Sequence, residues 1–262
     1  MKKIFLPFAL LIFLMTGCGN QGVDEKYNRA IVIGIDDNYA PMAFRDDKSE
    51  LVGFDIDLAE ETANRMDGNF VFKPIDWSKK REELLAGNID IIWNGLDITD
   101  ERKEYMIFSK PYMANRQIFL VKAGSDPGIL TEGDLEDKIV GTQAGASPEN
   151  YINANEELRN SLREFKTYPN FKEAFEALDG GEIDVLICGE MKARYEICKT
   201  PGKFKVIEVT VGPVWDIGIG FRKEDTALRD RVQAAFDEMV KDGTAKEISE
   251  KWFQSDLINY KR

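Results

Sequence analysis

Two rhythms of apolar and polar residues take turns along this chain. Residues 30–35 form a short β-branched run, which predicts a strand. Leu58, Ala59, Thr62, Ala63 and Met66 then recur at helical spacing, with Gly68 standing where a helix C′ glycine is expected. Residues 70–75 read as a strand, and Ser78 reads as the N-cap of a helix to Ala86 that Gly87 closes. Residues 89–93 and 117–121 are further strands, the second crossing toward another unit. The alternation repeats through a strand at 138–142, a helix from Ser147, a strand at 165–168, a helix from Asn170 and a strand at 183–188. Residues 218–221 form the last strand. One helix then carries Leu228, Val232, Ala235, Phe236 and Met239, and a second carries Ile248, Trp252 and Phe253. Strand–helix alternation at this spacing predicts α/β units with largely parallel sheets.

One segment occurs twice. Leu85-Ala86-Gly87-Asn88-Ile89-Asp90-Ile91 is echoed by Gly180-Gly181-Glu182-Ile183-Asp184-Val185, and a second glycine follows each aspartate by five residues, Gly95 and Gly189. The echo predicts two similarly built lobes. Crossings near 118–124 and 212–220 return the C-terminal segment to the first lobe.

In open α/β sheets, ligands bind beyond the carboxyl ends of the strands, so the residues following each strand are the candidate site. They are Asp36, Asp37, Asn38 and Tyr39; Asp76 and Trp77; Asn94, Gly95, Asp97, Ile98, Thr99 and Arg102; Gln143 to Pro148; and Gly189 with Glu190. The set holds aromatic faces, carboxylates, one arginine and a glycine-rich turn into a helix. Ser147 as N-cap and Pro148 at the first helical position would leave free N–H groups and a helix dipole that favour an anion such as a carboxylate.

Composition narrows the chemistry. The 262 residues contain no histidine, which excludes Ser-His-Asp and Cys-His triads and His-ligated metals. Three cysteines are too few for a disulfide scaffold or a four-cysteine zinc site, and no cofactor or metal is expected. An excess of 47 acids over 35 bases speaks against nucleic acid, whose polyanionic backbone is bound through Lys and Arg. No G-x-x-x-x-G-K-[ST] run is present to cradle a nucleotide. Cys188 and Cys198 remain open between a disulfide and two free thiols.

Lys2 and Lys3 precede an apolar stretch at 4–14, which is too short to span a bilayer and fits a secretory signal peptide. Met15-Thr16-Gly17-Cys18 resembles a bacterial lipobox, which makes Cys18 the lipidated first residue of the mature chain. Residues 1–17 are then removed, 18–28 form a tether, and losing Lys2 and Lys3 takes the net charge from −12 to −14. The expected location is the outer face of the cytoplasmic membrane, held there by lipid alone.

Gly53-Phe54-Asp55-Ile56-Asp57-Leu58, Gly87-x-Ile89-Asp90, Ile98-Thr99-Asp100-Glu101-Arg102, Phe108-Ser109-Lys110-Pro111-Tyr112, Gly141-Thr142-Gln143-Ala144-Gly145 and Asp242-Gly243-Thr244 with Lys251-Trp252-Phe253 occur in this order. Together they resemble family 3 of the bacterial extracellular solute-binding proteins, over about residues 29–254. The resemblance implies an α/β, two-lobed, type II periplasmic-binding-protein-like fold, with two mainly parallel sheets joined by two hinge strands. Lobe 1 would be 29–119 with 217–262, and lobe 2 would be 120–216. It also implies a monomer that closes on an amino acid and docks on an ABC permease driven by ATPase subunits.

Residue by residue, the resemblance makes Arg102 the grip on the ligand α-carboxylate, which suits a forked guanidinium. Ser147 and nearby backbone become the second carboxylate contact, with Gln143 beside them. Tyr39 and Trp77 sandwich the ligand side chain, Asp36 meets its polar end, and Asn94 and Gly95 line the wall. Two positions depart from the family pattern: Gly189 stands where an aspartate usually meets the ligand ammonium, and Asp97 where Ser or Thr is usual. Asp97 and Glu190 are the two candidates for the displaced ammonium partner, and a ligand without a normal α-amino group is a third possibility. Trp93 reads equally as core or as a residue narrowing the pocket. The acids Asp36, Asp37, Asp76 and Asp97 lean the choice toward a polar or basic amino acid. The rival classes are a carboxylate-based dehydratase or hydrolase on this scaffold, with Glu190 or Asp97 as general acid, and a ligand-sensing receptor subunit.

Overall fold

A computed structural model describes residues 29–125 and 128–259; the expected signal peptide, the expected lipid-anchor residue Cys18 and the expected tether lie outside the described residues. The first stretch of chain gives β1 (Ile31–Ile35), β2 (Asn38–Tyr39), β3 (Ala43–Arg45), β4 (Leu51–Val52), α1 (Phe54–Arg65), β5 (Phe70–Pro74), α2 (Lys80–Leu85), β6 (Ile91–Ile92), α3 (Asp100–Lys103) and β7 (Met106–Phe108). The next gives β8 (Met113–Lys122), β9 (Ile139–Gln143), α4 (Ser147–Ala154), α5 (Glu156–Ser161), β10 (Glu164–Tyr168), α6 (Phe171–Gly180), β11 (Val185–Gly189), α7 (Glu190–Lys199) and β12 (Phe204–Ile217). The chain ends in β13 (Gly220–Arg222), α8 (Thr226–Asp242) and α9 (Thr244–Phe253).

Two five-stranded sheets have the same plan, β5-β1-β6-β13-β7 and β10-β9-β11-β8-β12. In each, three strands are parallel and the last two join antiparallel. The sheets are therefore mixed, because each takes in a strand that returns from the other half of the chain. Apolar clusters cover both faces of each sheet, which is why the central strands read as unbroken apolar runs.

The internal echo has a physical basis. Asp90 accepts a hydrogen bond from the Val32 N–H (2.9 Å) and Asp184 accepts one from the Ile139 N–H (2.8 Å), each tying its turn to the start of the neighbouring parallel strand. Gly34 and Gly141 match as well: a Cβ at Gly34 would meet Ile89 at 2.5 Å, and one at Gly141 would meet Ile183 at 2.6 Å.

Several local expectations are corrected. The strand expected over 89–93 shrinks to β6, and most of the crossing expected at 212–220 is the end of β12, which runs fourteen residues to Ile217 paired with β8, before β13 starts at Gly220. The small antiparallel sheet β2-β3-β4 gave no apolar run long enough to signal itself. Asp76, not Ser78, caps the turn before α2, accepting from the Ser78 N–H at 3.0 Å. After α1, Asp67 takes the left-handed conformation (φ 48°) and Gly68 follows it. Cys188 is buried, Cys198 is exposed, and both are free thiols; burial pushes the Cys188 thiol up to about 12.

Candidate functional site

The carboxyl ends of the strands converge on a cleft between the sheets, with about 370 Å³ of space including its opening to solvent. From the first sheet, Asp36 follows β1, Asn94 and Gly95 follow β6, and Trp77 comes from the turn before α2. Arg102 comes from α3, which Thr99 caps by accepting the Arg102 N–H at 3.3 Å. Gly95 has φ 56°, and its N–H reaches the buried Asp55 carboxylate at 2.6 Å, which fixes that wall. Burial pushes Asp55 up to about 7 against the hydrogen bonds it accepts from Tyr112 and the Gly95 N–H. From the second sheet come Gln143 at the end of β9, Ala146, Ser147 and Pro148 after it, Phe171 of α6 and Gly189 of β11.

Ten of the eleven residues expected at the site line this cleft: Asp36, Tyr39, Trp77, Asn94, Gly95, Asp97, Arg102, Gln143, Ser147 and Gly189. Glu190 is the exception and is corrected. It forms ion pairs with Arg116 (2.5 Å) and Arg194 (2.6 Å), and the Arg116 hydrogen bond chiefly holds its carboxyl down at about 2. Two of the mouth acids are likewise engaged elsewhere, Asp37 with Arg45 at 3.0 Å and Asp76 as a cap, so Asp36 and Asp97 alone of the four line the cleft. Trp93 is buried in the first sheet's core, packed against Phe236 at 6.3 Å between ring centres.

Asp97 is 5% exposed and among the described residues takes neutral donors: Ser147 Oγ at 2.5 Å, Asn115 Nδ2 at 2.9 Å and Gln117 Nε2 at 3.4 Å. Burial raises its pKa, while Arg102, Ser147 and Asn115 oppose the shift. Ser147 is the first residue of α4 and Ala146 its N-cap, so the serine hydroxyl is directed to Asp97 instead of its own helix. Arg102 is 2% exposed; its Nη1 donates to the Asp97 carbonyl (2.8 Å) and its Nη2 to the Gly145 carbonyl (3.3 Å). Arg102 Nε and Asn94 Nδ2 are buried without a hydrogen-bond partner among the described residues. Asp36 accepts from Gln143 Nε2 at 2.5 Å across the cleft, and burial raises its pKa against that bond and the Asn38 N–H. Tyr39 meets Phe171 across the cleft at 5.6 Å.

Lys80, Asn115, Gln117 and Phe171 went unread in the sequence. Lys80 is buried, donates to the Gly145 carbonyl at 2.6 Å, and is pushed down to about 7 by burial and by Arg102. Gly145 has φ 74°, and a Cβ there would lie 2.8 Å from Ser78 Cα, so glycine lets the two lobes approach. Asn115 and Gln117 alternate on β8 with Met113 as buried positions, a period-2 polar interruption that could have flagged them. Among the described residues, no cluster of three or more acids and cysteines could hold a metal, and no helix is long and apolar enough to cross a membrane.

Residues 31–255 match the family described as bacterial extracellular solute-binding proteins, family 3. The chain is 30% identical over 232 residues to the L-cystine-binding protein TcyJ of Escherichia coli K12, covering 88% of this chain and 85% of that protein. It is 32% identical over 261 residues to the lysine/arginine/ornithine-binding periplasmic protein of the same strain, covering 97% of each. Among solved structures it resembles the substrate-binding protein of an ABC uptake transporter from Streptococcus pneumoniae with bound histidine. Identity there is 38% and the TM-score 0.83, with 89% of this chain and 97% of that one covered.

Proposed function

The chain belongs to family 3 of the bacterial extracellular solute-binding proteins, and on that premise we propose that it captures a polar or basic amino acid between its lobes and delivers it to the permease of an ABC importer. One observation carries the reading. The cleft holds a buried guanidinium, Arg102, and a buried carboxylate, Asp97, and no ion pair between their charged atoms occurs among the described residues. Buried charges are costly unless partnered. A zwitterion satisfies both at once, its carboxylate on Arg102 and its ammonium on Asp97. Ser147 and the backbone at the start of α4 complete the carboxylate grip. Tyr39 and Trp77 flank the side chain, Asp36 and Gln143 meet its polar end, and Asn94 and Gly95 form the wall. Relatives named for cystine, for lysine, arginine and ornithine, and for bound histidine support an amino-acid ligand.

A ligand touching both lobes favours closure, and moving a 1:99 equilibrium to 99:1 takes about 5.5 kcal/mol of differential affinity. A few charge-assisted hydrogen bonds reach that size. The chain acts by binding, without turnover and as a monomer. Its residues 1–17 are a signal peptide, and the lipid on Cys18, the first mature residue, holds the protein outside the cytoplasmic membrane. Calorimetry against the common amino acids tests this: stoichiometric heat with the amino acid recovered unchanged is expected, and turnover would overturn it. Asp97→Asn should lower affinity about a hundredfold. If Asp97→Asn binds normally while Glu190→Gln does not, Asp97 is not the ammonium partner.

A further inference from the structure

Gly189 is a glycine for lack of room, not for backbone freedom. Its φ of −59° suits any residue. A Cβ there, however, would lie 2.8 Å from Asn115 Oδ1, 3.2 Å from Asn115 Nδ2 and 3.2 Å from the Tyr39 hydroxyl. The side chain that fills this space, Asn115, is 4% exposed and does not line the cleft. It lies behind Gly189 and is tied to the cleft by a hydrogen bond, donating from Nδ2 to Asp97 Oδ1 at 2.9 Å. Its backbone is held in turn by pairing of β8 with β12, Asn115 opposite Trp215, on the two strands that run between the sheets.

We infer that Asn115 is the positioning residue of the Asp97 carboxylate, and that Gly189 is the condition for it. Asn115 holds one carboxylate oxygen from β8, while Ser147 from α4 and Gln117, two residues further along β8, approach the other. Asp97 therefore has its orientation fixed on Oδ1 by a neutral donor that adds no competing cation. A charged donor in that place would neutralise Asp97 and remove its attraction for an ammonium. The pair also links specificity to space: any side chain at 189 displaces the amide that aims Asp97.

This rests on the assignment of Asp97 to the ligand ammonium, and the experiment separates the two. The intact chain and its variants are titrated with the twenty common L-amino acids, following whichever binds the wild type most tightly. Asn115→Ala should lower affinity about tenfold, by loss of one hydrogen bond to a charged group. Asn115→Asp keeps the shape but faces a second carboxylate at Asp97, and should lower it about a hundredfold. A packing role would instead tolerate the isosteric change better than the truncation. Gly189→Ala should cost about tenfold in the wild type and less than about twofold in the Asn115→Ala background, because its target is already gone. Melting temperatures of the unliganded variants report whether each is folded. The inference is overturned if Asn115→Asp binds as well as Asn115→Ala, or if Gly189→Ala costs the same in both backgrounds. If Asp97→Asn binds like the wild type, the ammonium assignment itself is wrong and the role of Asn115 falls with it. If Asp97→Asn loses binding while Asn115→Ala does not, the role of Asn115 alone fails.

Discussion

Asp90 and Asp184 occupy equivalent turns in the two lobes and accept the same backbone hydrogen bond, yet their surroundings differ. Asp90 is 1% exposed and lies between Arg29 (2.6 Å) and Arg222 (2.7 Å). The Asp184 side chain is 38% exposed and, among the described residues, forms an ion pair with Arg163 alone at 2.9 Å. The difference follows from topology: Arg222 arrives on β13, the strand by which the chain returns to its first sheet, and it also pairs with Asp225 at 2.6 Å. The opposite ends of the strands diverge as well. The first lobe brings charges to the cleft, Asp36, Asp97 and Arg102, and the second brings neutral donors, Gln143 and Ser147. One repeated plan thus supports an anchored lobe with charged residues at the cleft and a facing lobe whose cleft residues are neutral donors.

Three experiments would break or sharpen this contrast. The largest effect is expected at the turns. Asp90→Ala should cost about 3–5 kcal/mol of stability, because it strands the Val32 N–H and takes from the buried Arg222 one of its two carboxylates, Asp225 remaining. Asp184→Ala should cost under about 1 kcal/mol, as for an exposed pair. Denaturant midpoints check both, and equal losses would mean that the return of β13 does not distinguish the lobes. The sign with pH follows. Burial tends to raise the pKa of Asp90, but Arg29, the Val32 N–H and Arg222 outweigh it and leave it lowered. Its contribution is therefore complete above the unfolded pKa of about 4 and is lost as the pH falls through the lower folded value. Stability curves of wild type and Asp90→Ala should converge in acid.

The next effect lies at the cleft. Arg102→Ala should weaken amino-acid binding by about 3 kcal/mol and Ser147→Ala by about 1 kcal/mol, read by calorimetry. Equal losses would show that charge on the first lobe is not what sets affinity. The smallest effect compares two glycines of like backbone. Gly145→Ala places a Cβ against Ser78 across the cleft, whereas a Cβ at Gly87 (φ 75°) meets nothing within 4 Å. Both changes should lower stability by about 1 kcal/mol through the left-handed backbone. Only Gly145→Ala should also reduce affinity, by about tenfold. A matching loss at Gly87→Ala would make the effect one of backbone strain and not of closure.

Much of the site was legible because strand ends are legible. Asp36, Asn94 and Gln143 each follow an apolar run, and the parallel strands of an α/β sheet bring such positions to one edge. Glu190 shows where this reasoning stops. It also follows a strand, but it begins α7, and the arginines at 116 and 194 turn it away from the cleft. Asn115 and Gln117 lie within β8, and a strand-end rule passes over them.

Periodicity and the repeated Gly-x-Ile-Asp turn determined that the chain makes two α/β lobes, because local spacing decides which residues can face a sheet. Patterning also fixed which side chains reach the ends of the strands. Tertiary structure alone decided how those side chains are shared. It turned Ser147 from a cap into a partner of Asp97, paired Glu190 with two arginines, and set Asn115 in the space that Gly189 leaves open. Only Arg194, one helical turn from Glu190, is within reach of a local rule. Ser147 with Asp97, Arg116 with Glu190 and Asn115 with Gly189 join residues 50 to 74 positions apart, where spacing along the chain carries no information about distance in space.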